Sequence, residues 1–312
     1  MNMLLMGLGL IAGLLIGIEG LLRLLFGFGT PLTYVAHDQI GYLLSPSQCV
    51  RRFGNLIRIN QYSMRGENIA VMPAPATLRV LMLGDSIVNG GWWTAQDRTL
   101  SALLEEALAG PDPQCPIEVL NASANSWGPR NELAYLEEFG TFGAHLLILV
   151  VNTDDLFATA PTAVQVGRDR NYPDRLPKFA LQEVMTRYLT RPAPIPELDT
   201  VRAEGGDRVG KNLAAIQQIR DRIHREGGQF LLAMTPLLRE VTPNSPRDYE
   251  HQARQRLMDF TQAQAVPYLD LLPVFNAQPQ PQSLYRDHIH LSEAGNRLVV
   301  QHLVAHSGKF SI

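Results

Sequence analysis

The sequence predicts an α/β protein, with a three-layer α/β/α domain built on a central, mostly parallel five-stranded sheet and preceded by an N-terminal transmembrane helix. Short apolar runs alternate with helical segments from residue 78 onward, which is typical of a parallel sheet covered by helices on both faces. Of the 312 residues, 46% are hydrophobic, enough for one large core. Residues 3–27 are almost entirely apolar. We therefore expect a membrane anchor at 1–28, a lead-in at 29–76 and the α/β domain at 77–312.

The N-terminal segment is long enough to cross a bilayer, because a spanning helix needs roughly 20 apolar residues. Glu19 and Arg23 lie four apart on one helix face and can pair, and Arg23 can extend to the membrane interface. A cleaved signal peptide is the alternative, but the apolar stretch is long and no lysine or arginine precedes it. We expect a single-pass anchor that contacts the membrane through residues 3–27. The distribution of basic residues says little about orientation, and we expect the remaining chain on the extracytoplasmic side.

The lead-in contains several turn signals and is expected to wrap around the α/β domain. Within it, residues 56–60 partly alternate between apolar and polar and predict a short edge strand. The strands of the α/β domain are predicted at 78–83, 117–121, 145–151, 229–234 and 266–269. Its helices are predicted at 99–108, 131–139, 181–189, 208–225, 247–263 and 292–306, the last capped by Ser292. Ligands of such a sheet bind beyond the carboxyl ends of its strands.

Composition excludes several classes of function. The net charge is −3 and the chain has no basic patch, so no nucleic acid is expected as a partner. The two cysteines, Cys49 and Cys115, match no metal spacing, and whether they pair stays open. His302 and His306 lie four apart, but no glutamate follows His302 and no third ligand is suggested. We expect neither a metal nor a cofactor.

Chemistry is expected where polar residues follow the predicted strands. Ser86 comes directly after the first core strand, where its hydroxyl faces the crevice and its N–H lies at the positive end of the next helix. Asp287 and His290 are three apart, so the carboxylate can hold the imidazole and leave Nε2 free to take the Ser86 proton. His288 is the competing base, but its side chain would diverge from that of its neighbour Asp287. These residues predict a nucleophilic serine with its base.

These features together resemble the SGNH (GDSL-type) hydrolases over about residues 78–306. The resemblance is carried by two blocks, Leu83-Gly-Asp-Ser-Ile-Val-Asn-Gly90 and Asp287-His-Ile-His-Leu-Ser-Glu-Ala-Gly295. It implies a flavodoxin-like fold, Ser86 as nucleophile and oxyanion donor, and Asp287 and His290 as the other triad members. The lead-in is similar to that of membrane-anchored bacterial members, on the residues Gly41-Tyr42, Pro46, Ile59-Asn60 and Met64-Arg-Gly66.

The resemblance is less complete at the oxyanion donors. The family has a glycine N–H about five residues after an asparagine, and counting from Asn121 reaches Ser126, with Gly128 two residues further. The family also has an asparagine side chain after the third strand, where the best register here places Asp154. A carboxylate would repel an oxyanion unless protonated, and Asn152 could substitute. The candidate oxyanion residues are therefore Ser86, Ser126, Gly128, Asn152 and Asp154.

The expected function is a membrane-anchored serine esterase that hydrolyses an O-acetyl or other acyl ester through an acyl-enzyme intermediate. Its partner would be an acylated small molecule or glycan. Two alternatives stay open: an O-acetyltransferase acting on a cell-envelope polysaccharide, and a non-catalytic envelope-binding protein on a degenerate hydrolase fold. Trp92, Trp93 and Trp127 flank the predicted crevice, where they either pack or stack against a sugar.

Overall fold

The N-terminal helix α1 (Asn2–Leu21) continues into one π-helical turn, Leu22–Phe26. The computed structural model describes residues 2–109, 116–241 and 247–307. The segment Met3–Phe26 is long and apolar enough to cross a membrane, with a mean hydropathy of 2.1, and its most apolar window is not buried. Arg23 Nε donates to Glu19 Oε1 over 2.7 Å, the pairing expected from their spacing. Their charges are thereby paired at the end of the apolar segment.

The lead-in forms two antiparallel hairpins whose strands are not hydrogen-bonded into the main sheet. The first joins β1 (Tyr34–His37) to β2 (Gly41–Leu44), and the second joins β3 (Gln48–Arg52) to β4 (Asn55–Ile59). The strand predicted at residues 56–60 therefore exists, but it pairs with β3 and does not form an edge of the main sheet. The two-residue turn Phe53-Gly54 places β4 directly beside β3, so β4 pairs with its neighbour in sequence.

The main sheet has five strands in the described chain, all parallel. They are β5 (Leu78–Gly84), β6 (Ile117–Ser123), β7 (Leu146–Asn152), β8 (Gln229–Thr235) and β9 (Tyr268–Asp270), in the order β6-β5-β7-β8-β9. The central strand β7 is buried along its whole length, which is why its sequence is a continuous apolar run. Strand β9 begins two residues later than predicted, directly after Pro267, which has no N–H to donate to the ladder.

Helices cover both faces of this sheet, and the three-layer prediction is confirmed. They are α2 (Ser86–Asn89), α3 (Leu100–Leu108), α4 (Pro129–Phe139), α5 (Ala180–Val184) with the π turn Met185–Leu189, α6 (Pro196–Arg202), α7 (Arg208–Arg225), α8 (Asp248–Ala263), α9 (Leu272–Asn276) and α10 (Glu293–Ser307). Alternate residues of β7 face opposite sides, so Leu147 packs with α4, α7 and the lead-in, whereas Ile148 packs with α3 and α10.

Two smaller expectations can be compared with the structure. Ser292 caps α10, because its Oγ accepts the Gly295 N–H over 3.2 Å. Cys49 is exposed with a free thiol. Whether it pairs with Cys115 stays open, since Cys115 lies outside the described residues. The division of the chain into anchor, lead-in and α/β domain likewise stays a prediction.

Candidate active site

A cavity of 710 Å³ opens at the carboxyl ends of the parallel strands and contains Ser86 and His290 in its lining. Ser86 begins α2, whose N-cap is Asp85: the carboxylate Oδ1 accepts the Ile87 N–H over 2.8 Å. Gly84 ends β5 at a close approach, because a Cβ there would lie 2.8 Å from the Val150 carbonyl oxygen. The end of β5 at Gly84 and the Asp85 cap of α2 together hold the Ser86 hydroxyl at the cavity.

A continuous chain of hydrogen bonds links Ser86, His290 and Asp287. Ser86 Oγ lies 2.9 Å from His290 Nε2, and His290 Nδ1 lies 2.8 Å from Asp287 Oδ2. The other carboxylate oxygen, Asp287 Oδ1, accepts the N–H of Ile289 over 3.0 Å and that of His290 over 2.9 Å. With Nδ1–H directed to the carboxylate, Nε2 is the ring nitrogen that can accept the Ser86 proton.

The environment of Asp287 keeps this carboxylate ionised. Partial burial raises the pKa of Asp287, but hydrogen bonds from the His290 and Ile289 N–H groups and from the His290 ring outweigh burial and lower the pKa to about 2. An anion beside Nδ1 can stabilise a protonated imidazole throughout the neutral range. His288 is placed differently: its Nδ1 lies 3.9 Å from Asp287 Oδ1 and its side chain is 77% exposed. Of the two histidines, His290 is the one that bridges Asp287 and Ser86.

A tryptophan packs against the imidazole. The Trp93 ring meets the His290 ring edge to face, with 4.5 Å between the centroids, and the Arg286 guanidinium lies 5.2 Å from the Trp93 centroid. Trp92, Trp93 and Trp127 all line the cavity. Trp127 is buried, and its indole N–H donates to the Tyr42 carbonyl over 3.1 Å. Trp127 is thus a packing residue, whereas Trp93 restrains the imidazole.

The two backbone candidates for an oxyanion donor, Ser126 and Gly128, differ in the hydrogen bonding of their N–H groups. Ser126 lines the cavity in a left-handed conformation (φ 61°), and within the described chain no acceptor pairs with its N–H. The Gly128 N–H instead donates to Asn131 Oδ1 over 3.1 Å, at the start of α4. A Cβ at Gly128 would lie 2.3 Å from the Ala158 Cβ, so close packing explains the glycine.

The two side-chain candidates also differ. Asn152 is fully buried, and its Nδ2 donates to Asp155 Oδ2 over 2.8 Å and to Asp85 Oδ2 over 3.1 Å. Asp154 lines the cavity, and its Oδ1 accepts from Arg239 Nη2 over 2.8 Å. The Asn152 amide is therefore hydrogen-bonded to carboxylates beneath the cavity, whereas the Asp154 carboxylate lies in the cavity lining.

The residues beneath the site form an acidic group that sequence reasoning missed. Glu132 on α4 is fully buried, and neither of its carboxylate oxygens has a hydrogen-bond partner among the described residues. Burial raises the pKa of Glu132 well above its usual range, and the charge of Asp85 adds to this. Burial, followed by the charges of Asp85 and Glu132, likewise raises the pKa of Asp155. A signal was present: Glu132 shares a helix face with Tyr135 and Leu136, both apolar and buried.

The unpaired glutamate predicts a pH dependence of stability. Above about pH 4.5 the unfolded chain ionises at this position while the folded protein keeps its proton, so stability falls as pH rises through that range. In Glu132→Gln the part of this loss of stability that comes from residue 132 should be absent. We therefore expect the decrease in unfolding free energy from pH 5 to pH 8 to be smaller in Glu132→Gln than in the wild type, measured by urea denaturation of the detergent-solubilised full chain.

The matched control is Glu137→Gln, an exposed position on the same helix. It should follow the wild-type pH profile. A Glu132→Gln profile that also runs parallel to the wild type would show that Glu132 titrates normally.

Comparison with known proteins identifies the family. The model of the GDSL-like lipase/acylhydrolase family matches residues 82–298, which is more than half of the chain and includes the hydrogen-bonded Ser86, Asp287 and His290. The chain belongs to this family. It is an SGNH-type serine hydrolase that acts on ester bonds, as the resemblance of its two sequence blocks indicated. Among curated proteins, no sequence matches this chain.

Solved structures share the fold of this GDSL-like hydrolase. Axe2, an acetylxylan esterase from Geobacillus stearothermophilus, aligns with a TM-score of 0.51 at 16% identity, covering 74% of this chain and 94% of its own. A lipase/acylhydrolase from Enterococcus faecalis aligns with a TM-score of 0.47 at 16% identity, covering 74% and 96%. The family match and the Axe2 alignment confirm the predicted fold class.

Proposed function

We propose that this hydrolase is a membrane-anchored esterase that removes an O-acetyl group from a glycan or small molecule. The observation that carries the proposal is the unbroken hydrogen-bond chain from Asp287 through His290 to Ser86 at the cavity. Helix α1 supplies the anchor, with the α/β domain on the extracytoplasmic side. Acetyl is the first acyl group to test because an acetylxylan esterase has the same fold. At 710 Å³ the cavity exceeds an acetyl group, which favours a large alcohol portion such as a sugar.

The geometry supports a two-step reaction. His290 Nε2 takes the Ser86 proton as Oγ attacks the ester carbonyl carbon, and the resulting imidazolium is stabilised by the Asp287 carboxylate. The tetrahedral intermediate collapses, His290 returns the proton to the leaving alcohol, and the acyl group stays on Ser86. His290 then deprotonates a water that attacks the acyl-enzyme, and the carboxylic acid leaves as Ser86 regains its proton. Because the Asp287 pKa lies at about 2, this carboxylate is ionised in every step.

The developing oxyanion would be held by two backbone donors. The Ser86 N–H lies at the start of α2, and the Ser126 N–H faces no other acceptor within the described chain. Gly128 and Asn152 donate their N–H groups to other residues, so they are less suited to this role. Asp154 lies on the cavity wall at the position that the family resemblance assigns to an asparagine.

This arrangement predicts that Asp154→Asn increases activity. An amide at this position can donate to the oxyanion where the carboxylate repels it, and one such donor is worth about a hundredfold or more in rate in related sites. We expect kcat for p-nitrophenyl acetate to rise by about tenfold or more, measured by steady-state kinetics. Asp154→Ala is the control, since it removes the charge without adding a donor. An equal effect of both substitutions would show that residue 154 supplies no oxyanion contact.

The esterase proposal is tested by hydrolysis of p-nitrophenyl acetate and by labelling with a fluorophosphonate probe. An O-acetyltransferase that uses the same Ser86 is the second candidate, because the cavity has room for an acceptor beside the acyl group. Measuring acetylated glycan against free acetate separates the two reactions. Absence of both labelling and hydrolysis by the wild type would overturn the esterase proposal and return the non-catalytic alternative.

A further inference from the structure

Exposed apolar side chains lie on the segments that contact the end of the apolar N-terminal segment. We call this surface the collar, and its members are Phe26, Phe53, Leu176, Phe179, Met185, Tyr188 and Leu189, each at least 40% exposed. Leu189 is 75% exposed and Phe179 60%. Single exposed apolar residues need no explanation, but a group of this kind marks a binding surface. We therefore expect the collar to bind a partner.

The collar is continuous with the proposed membrane span. Phe26 is the last residue of the π turn that ends the apolar segment, and its ring meets that of Phe53 with 5.7 Å between the centroids. The Phe28 ring packs on Phe53 at 5.7 Å and on Tyr188 at 6.1 Å. These contacts join the anchor directly to the α5 segment. Aromatic residues at this position are typical of the membrane–water interface.

Polar contacts hold the α5 segment against the end of the anchor. The carboxylate of Glu19 accepts the Ala180 N–H over 2.7 Å and the Leu181 N–H over 3.0 Å. Arg23 Nη2 donates to the Lys178 carbonyl over 3.1 Å. Since Glu19 and Arg23 lie within the last turns of the apolar segment, α5 is held where the chain leaves the proposed bilayer.

The charge of the same region differs from that of the whole protein. Residues 168–191 contain six basic and three acidic residues, a net charge of +3, whereas the whole chain carries −3. Arg175, Lys178 and Arg191 are exposed. Basic residues beside an apolar surface favour the interface of an anionic bilayer, where each contributes about 1 kcal/mol.

We propose that the collar is a second membrane-binding surface, which inserts its apolar side chains into the interface of an anionic lipid bilayer beside α1. This proposal rests on the proposed anchor but not on the esterase reaction. The α5 segment also lines the catalytic cavity through Arg187. Membrane contact by the collar would therefore hold this side of the cavity close to the lipid surface and favour substrates that are themselves attached to the membrane.

Depth measurements on the full chain in lipid vesicles test this proposal. In a Cys49→Ser, Cys115→Ser background, an environment-sensitive fluorophore is attached at Leu189→Cys in the collar, at Leu14→Cys in α1, or at Gln255→Cys, an exposed position on α8. The vesicles contain phosphatidylcholine alone or with phosphatidylglycerol, together with spin-labelled lipid as the quencher. We expect quenching at Leu189→Cys to be at least threefold greater than at Gln255→Cys, and to increase with phosphatidylglycerol. Adding Arg175→Gln and Arg191→Gln should reduce that increase.

Three results would overturn the proposal. Quenching at Leu14→Cys without quenching at Leu189→Cys would leave the anchor in place and exclude the collar. Quenching at neither position would exclude both the anchor and the collar as membrane-binding segments. Blue-shifted emission at Leu189→Cys that lipid does not quench would show that a second copy of the chain covers the collar. Hydrolysis of p-nitrophenyl acetate is measured on the same samples, so failure of the esterase proposal would be seen separately.

Discussion

Replacing Ser86 with alanine is expected to abolish ester hydrolysis, with a loss of about a millionfold in kcat if the serine behaves as nucleophiles of other serine hydrolases do. The hydroxyl lies 2.9 Å from His290 Nε2, and the alanine variant leaves the imidazole without a group to deprotonate. Residual acceleration would come from the oxyanion donors and from substrate binding alone. The variant should keep its fold, because the change removes one oxygen at a position that already lines a cavity.

The measurement compares initial rates on p-nitrophenyl acetate for the full chain in detergent, together with fluorophosphonate labelling. Ser283→Ala, at an exposed serine outside the cavity lining, is the matched control and should keep both activities. Retained labelling of Ser86→Ala would show that another residue is the nucleophile. A circular dichroism spectrum identical to that of the wild type establishes that a lost activity reflects chemistry.

Replacing Glu183 with alanine is expected to lower the free energy of unfolding by about 3–5 kcal/mol, the usual effect of removing one partner of a buried ion pair. Arg52 Nη2 lies 2.6 Å from Glu183 Oε1, and the side chains are only 7% and 5% exposed. The carboxylate also accepts the Gly29 N–H over 2.7 Å and the Arg187 Nε–H over 2.7 Å. Without it, the Arg52 guanidinium stays buried over the Phe28 ring, with the Gly27 carbonyl as its remaining hydrogen-bond partner in the described structure.

Urea denaturation of the detergent-solubilised full chain measures this effect. Glu197→Ala is the matched control, because Glu197 pairs with Arg168 over 2.8 Å with both side chains largely exposed. Such surface pairs contribute about 0–1 kcal/mol. Equal destabilisation by the two substitutions would contradict the argument from burial.

Much of the α/β domain could be predicted because its signals are local. Strand β7 is a run of apolar residues bounded by polar ones, and a strand buried on both faces has no other sequence pattern. Asp287 and His290 could be paired from their spacing, since three residues suffice to bring the carboxylate to Nδ1. The roles proposed for them and for Ser86 stay predictions until kinetics are measured.

The features that could not be predicted depend on residues far apart in sequence. Arg52 and Glu183 are separated by 131 residues, and nothing in either neighbourhood indicates the other. Glu132 shares a helix face with Tyr135 and Leu136, but the complete burial of its carboxylate follows from how α4 packs on the sheet. The left-handed backbone of Ser126 was equally hidden, since a serine carries no signal for positive φ.

The separation of Ser86 from His290 also orders events in time. The two residues are 204 positions apart, so on the proposed roles the hydroxyl has no base until residue 290 has been synthesised and has docked against Ser86. Until then, the nascent protein would carry a serine that is not yet activated. On this proposal, catalytic competence is acquired in a single late step, and we expect reactivity toward a fluorophosphonate to report that the loop carrying His290 and α10 have reached their places.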